Sequence, residues 1–134
     1  MDYTVMHEAP NPKAYNELRL EAGLSGKSVE AAEIGLRHSL YAVTLYDGDR
    51  LIGMGRIIGD GGAFFQIVDI AVKPTYQGKG LGSVIMKHLT DYLDQHTLPG
   101  SYVSLIADGE AEHLYKKFAF EYTAPRSQGM YRSY

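Results

Sequence analysis

The chain has no cysteine, which excludes disulfides, thiolate metal sites and cysteine redox chemistry and fits a reducing compartment and chance in a short chain equally. It has no cluster of Lys and Arg able to neutralise a run of phosphates, so nucleic acid is not an expected partner. Its most apolar stretch, Ala63 to Val72, is broken by Gln66 and Asp69 and falls far short of the ~20 residues of a membrane helix. Residues Met1 to Glu8 lack a basic segment followed by a long apolar run, so they do not read as a secretion signal, and the cytoplasm is the expected setting. The five histidines, His7, His38, His88, His96 and His113, form no pair at metal-ligand spacing, and no metal is expected. A Gly-x-Ser-x-Gly elbow is also missing, which leaves a serine hydrolase without support.

What remains is the composition of one globular domain. The chain has 134 residues, 45% of them hydrophobic and 22% charged, with a net charge of -3, and a single domain over 1–134 is expected. Tyr3 to His7 alternates as a first strand, stopped by Pro10 and Pro12. Lys13 to Ala22 and Ser28 to His38 read as two short helices, the second opening at Ser28. Ser39 to Tyr46 and Arg50 to Ile58 read as an antiparallel pair joined by the turn Asp47-Gly48-Asp49. Ala63 to Val72, apolar on both faces, is a central strand.

After Pro74 comes a glycine-bearing turn. Leu81, Val84, Ile85, Leu89, Tyr92 and Leu93 then recur at steps of three and four, which predicts a helix from Leu81 to Gln95. Tyr102 to Ala107 reads as a strand, Glu110 to Phe118 as a short helix, and two terminal strands are expected around Phe120 and Met130. Tyr122, Tyr131 and Tyr134 then read first as residues packed in those strands, ahead of a substrate-pocket lining or a dimer face. The order gives a mixed α/β fold, an antiparallel half beside one strand-helix-strand crossover.

The turn Gln77-Gly78-Lys79-Gly80-Leu81-Gly82 stands between a buried strand and the strongest helix. Glycines there free backbone N–H groups at a helix N-terminus, where a phosphate is favoured, and Lys79 adds charge. It is not a Walker loop, because Lys73 stands where the first glycine belongs and Gly80 follows Lys79. It is not a dinucleotide fingerprint either, since Ser83 replaces the third glycine and no acid follows near Ser101 or Tyr102.

The run Ile70-Ala71-Val72-Lys73-Pro74-Thr75-Tyr76-Gln77-Gly78-Lys79-Gly80-Leu81-Gly82 resembles the acetyl-CoA signature Gln/Arg-x-x-Gly-x-Gly/Ala of the GNAT (GCN5-related) N-acetyltransferase superfamily. Leu114-Tyr115-Lys116-Lys117-Phe118-Ala119-Phe120 is similar to its Leu-Tyr-x-x-x-Gly-Phe, with Ala119 in place of glycine. The resemblance implies a mixed, mostly antiparallel sheet flanked by helices, with two central parallel strands splayed apart near Val72 and Ala107. It implies acetyl-CoA held by Ile70, Ala71, Val72, Gln77, Gly78, Lys79, Gly80, Leu81, Gly82 and Ser83, and a small-molecule or protein amine as acceptor. It also allows a homodimer. An acyl-CoA-binding module without catalysis is the alternative.

Transfer of an acetyl group from a thioester to an amine needs a neutral nucleophile, a donor to the oxyanion and a proton for the leaving sulfur. The resemblance makes Tyr115 the proton donor, a modest demand because a thiol (~8.5) is more acidic than a phenol (~10). For the base it offers either a carboxylate on the strand before the glycine turn or a chain of waters. Asp69 is the only acid on that strand; its alternative reading is a buried carboxylate hydrogen-bonded to backbone. Gln66, at the position where some relatives carry the base, cannot accept the proton, and strand alternation puts it opposite Asp69. Asp108 is read first as the cap of the next helix, ahead of a cofactor contact.

Overall fold

Asp47-Gly48-Asp49 closes its hairpin as its residues predict, with Gly48 at a φ of 60° that glycine adopts without steric cost. The structure, a computed structural model, describes residues 2–109 and 111–134. The hairpin joins β2 (Tyr41–Asp47) to β3 (Arg50–Gly59), and a turn tied by three backbone N–H groups to Asp60 Oδ1 leads into β4 (Phe64–Val72). With β1 (Thr4–Met6) and β5 (Tyr102–Ser104) these form one sheet in the order β1-β2-β3-β4-β5, antiparallel except for the parallel pair β4 and β5.

The helices cover both faces. On one lie α1 (Pro12–Glu21), capped by Asn11 Oδ1, and α2 (Val29–Arg37), capped by Ser28 Oγ. Tyr15, Leu18, Ala32 and Leu36 pack there against Leu51, Met54 and Ala71. On the other lies α3 (Leu81–His96), whose Leu81, Ile85, Leu89 and Leu93 repeat every four residues and form one buried stripe. Each such side chain contributes about 1.5–3 kcal/mol when fully buried. The stripe sits close because β3 offers glycine beneath it: a Cβ on Gly55 would lie 2.7 Å from Ile85 Cγ2. Helix α3 is also the crossover between β4 and β5, so the predicted mixed α/β layout stands.

The chain beyond α4 (Glu112–Lys116) departs from expectation. No strand forms around Phe120 or Met130 among the described residues, and the expected packing of Tyr122, Tyr131 and Tyr134 gives way to exposures of 60%, 93% and 98%. Pro125 and Gly129 interrupt this segment, and no strand takes it as a partner. Strand β5 is also shorter than predicted, ending at Ser104 rather than Ala107. The predicted helix Glu110 to Phe118 shrinks to α4, and Glu110 lies outside the described residues.

Candidate active site

Strands β4 and β5 pair only through Phe64 with Tyr102, Phe65 with Val103 and Gln66 with Ser104. Past that point β4 continues to Val72 while β5 has ended at Ser104, so the pairing opens as the implied splay requires. A bulge sits in the same stretch of β4. Met54 pairs with Ala71 and Arg56 with Val68, so Gly55 alone faces both Asp69 and Ile70. Asp69 takes a φ of 61°, a left-handed conformation that aspartate tolerates better than most residues. The extra residue undoes the alternation expected for this strand: Asp69 and Gln66 line the same cavity rather than opposite faces.

The glycine turn is held from below by Gln77, whose Nε2 donates to Val72 O at 2.9 Å. Gly78 and Gly80 have φ of 77° and 81°, and Gly80 begins α3 with no side-chain cap, so the first N–H groups of a 16-residue helix keep their donors free of side chains. A Cβ on either glycine would meet no protein atom within 4 Å; it would fill only the open space before the turn. A cradle of this kind fits a pyrophosphate. The turn lines a cavity of about 300 Å³ together with Ile70, Ala71, Val72, Leu81, Gly82 and Tyr115. Gly82 lets α4 approach, since a Cβ there would stand 3.2 Å from Leu114 Cδ2. Lys79 is exposed, and neither it nor Ser83 lines this cavity.

A second cavity of about 500 Å³ opens on the α1 side of the splay and is walled by α1, β3, β4, the segment after β5 and α4. Ile70, Ala111 and Tyr115 line both cavities, so Tyr115 stands where the two meet. Its side chain is 9% exposed. Burial, and after it the negative charge of Asp108, raise its phenol above the usual range near 10, so the hydroxyl stays protonated at neutral pH. Asp108 lines the larger cavity, and its side chain does not cap α4; only its carbonyl accepts, from Ala111 N–H at 3.1 Å. The cap reading fails because α4 starts only at Glu112, with Ala111 in the N-cap position and no side-chain cap.

The Asp69 side chain is 5% exposed and its carboxylate accepts from three side chains. Arg19 Nη1 donates to Oδ1, Arg56 Nε donates to Oδ2 at 2.8 Å, and the Tyr15 hydroxyl donates to Oδ2 at 2.9 Å. This is the buried-acid alternative, with side chains as the partners in place of backbone. Both guanidinium carbons lie 5.8 Å from the centre of the Tyr15 ring, close enough for a cation–π attraction. Sequence reasoning overlooked Arg19, Arg56 and Tyr15. The signal was a lone charge inside the apolar run Arg50 to Ile58 and another beside Leu18 on the buried side of α1, with one acid on β4 to meet them.

The model of the acetyltransferase (GNAT) family matches residues 5–120. The structure of SA2161 of methicillin-resistant Staphylococcus aureus, described as a protein of unknown function and probable acetyltransferase, is 53% identical, with a TM-score of 0.96, and the match covers 99% of this chain and 100% of that one. The GNAT family protein SP0256 of Streptococcus pneumoniae is 27% identical, with a TM-score of 0.79 over 99% of this chain and 98% of its own. The uncharacterized N-acetyltransferase ycf52 of Porphyra purpurea is 29% identical over 130 residues, 90% of this chain and 74% of that protein. The chain belongs to the GNAT family of acetyltransferases.

Proposed function

We propose that the chain is an acetyl-CoA-dependent N-acetyltransferase that acts on a primary amine, with Tyr115 as its general acid. The observation that carries this reading is the meeting of the two cavities at Tyr115: one is floored by a phosphate-fitting glycine turn, and the other has room for an acceptor. Gln77, Gly78, Gly80, Leu81 and Gly82 would hold the pyrophosphate of the acetyl donor, with Lys79 and Ser83 at the rim. The unpaired edge of β4 at Ile70, Ala71 and Val72 would take the pantetheine arm. When bound, acetyl-CoA supplies an activated acetyl carbonyl.

The residues of the chain do the rest. The amine nitrogen bonds to the acetyl carbon, the carbon–sulfur bond breaks, and the surplus amine proton passes to water in the larger cavity. Tyr115 Oη gives its proton to the departing sulfur and regains one from solvent. Asp69 serves as the anchor of the bulge rather than as the base, because two guanidinium groups and a phenol already occupy its oxygens. A backbone N–H of the bulged segment would supply the donor to the carbonyl oxygen as it gains charge.

The test follows free thiol from acetyl-CoA across a panel of amines, with thermal stabilisation by CoA measured alongside. Saturable stabilisation and acceptor-dependent thiol release are expected. Stabilisation without release on any amine would favour an acyl-CoA-binding module, and neither effect would leave the glycine turn without a ligand.

A further inference from the structure

The larger cavity has two different ends. From the α1 side it is lined by Arg19, Arg56 and Lys27, and from the α4 side by Asp108 and Tyr115. Arg19 and Arg56 are both buried, at 8% and 7% exposure, and share the single carboxylate of Asp69, so one positive charge at that end has no internal partner among the described residues. Their hydrogen-bonding capacity is also not used up. A guanidinium carries five N–H donors. Arg56 spends its Nε on Asp69 and its Nη1 on Gly35 O and Ser39 Oγ, while no described residue accepts from its Nη2. Arg19 spends its Nε on Ser25 O and its Nη1 on Asp69, and its Nη2 reaches only Ser25 Oγ, at 3.5 Å.

The fold invests in holding this end in place. Arg19 O accepts from Leu24 N–H, and Asn16 bonds both the N–H and the carbonyl of Lys27 at 2.9 Å, so the loop between α1 and α2 is clipped onto α1 and brings the exposed Lys27 to the cavity. A buried surplus of positive charge is costly unless an anion meets it, and planar guanidinium groups suit the paired oxygens of a carboxylate or phosphate.

We infer that the acceptor carries an anionic group besides its amine, a carboxylate or a phosphate, which Arg19, Arg56 and Lys27 receive while the amine lies toward Asp108 and Tyr115. The acceptor class is then an amino acid or an amino phosphate rather than a plain alkylamine, polyamine or neutral amino sugar. This inference rests on the transferase reading for the role of Tyr115, but the anion site stands on its own residues.

The test uses the full chain saturated with CoA, so that the glycine turn is already filled. Amino carboxylates of increasing length and phosphoethanolamine are titrated, each beside its parent alkylamine or alcohol-amine, and the Nε–H resonances of Arg19 and Arg56 are followed by NMR. The anionic members should shift both resonances saturably and the uncharged-tail amines should not. Arg56→Gln should weaken that binding about tenfold or more, the size expected for a charge-assisted bond, and Lys27→Gln, on an exposed loop, should weaken it severalfold should Arg56→Gln fail to fold. With acetyl-CoA as donor, thiol release should favour the anionic member of each pair in kcat/KM by a similar factor. Equal binding of both members of a pair, or no response of either arginine to any anion, would overturn the inference. Failure of thiol release with every amine, alongside a saturable arginine response, would instead count against the transferase reading and leave the anion site intact.

Discussion

The two cavities that meet at Tyr115 are built in opposite ways. The smaller one is made of backbone: two glycines at positive φ, an uncapped helix start and an unpaired strand edge, all within 13 consecutive residues from Ile70 to Gly82. The larger one is made of side chains brought together from distant parts of the chain, Arg19 from α1, Arg56 from β3 and Asp69 from β4. A backbone site leaves a local mark in the sequence, whereas a side-chain site exists only after the strands have paired and the helix has docked. The first therefore tolerates variation around it, and the second stands or falls with the fold.

That difference can be broken most strongly at Asp69. Asp69→Ala leaves two buried guanidinium groups without their carboxylate and should destabilise the chain by about 3–5 kcal/mol, read as a large drop in the denaturant midpoint. A loss below 1 kcal/mol would mean that the cluster is solvated rather than buried. In the backbone site, Gly80→Val forces a branched residue to a φ of 81° and should cost roughly 1–2 kcal/mol of stability, together with most of the thermal stabilisation by CoA. Retention of full CoA stabilisation would remove the turn from the cofactor site.

Smaller effects sharpen the picture where the two cavities join. Tyr115 is competent as an acid only while protonated, and burial together with Asp108 holds its pKa above the usual 10. If it is the acid, kcat should fall only as pH rises past about 10. Asp108→Asn removes a charge that opposes the phenolate, so this alkaline limb should move to lower pH. An unmoved limb would separate the titration from Tyr115. The smallest change is expected at Ala119, which replaces the family glycine and sits at a φ of 69°. Ala119→Gly should relieve left-handed strain and stabilise the chain by about 1 kcal/mol, measured as a rise in Tm.

The same contrast explains what could be read from the sequence. The Asp-Gly-Asp hairpin, the Ser28 cap, the period of four along α3 and the glycine turn are each contained in one short segment, and each appears where expected. The bulge at Asp69 depends on how β4 meets Gly55 on β3, so simple alternation assigned Asp69 and Gln66 to opposite faces. The arginines were legible only as lone charges in apolar surroundings, and their partner had to be found across the sheet. The segment beyond Phe120 has enough aromatic residues to suggest strands, yet nothing local records that no strand among the described residues pairs with it.

The central claim is that chemistry occurs where the two cavities share Tyr115, and the direct measurement is the steady-state rate of acetyl-CoA-dependent thiol release by wild type and Tyr115→Phe. Loss of the hydroxyl should lower kcat about 100-fold, within the lower range for a general acid, with CoA stabilisation unchanged. Equal rates in the two proteins would contradict the account, because the residue joining the cavities would then take no part in the reaction.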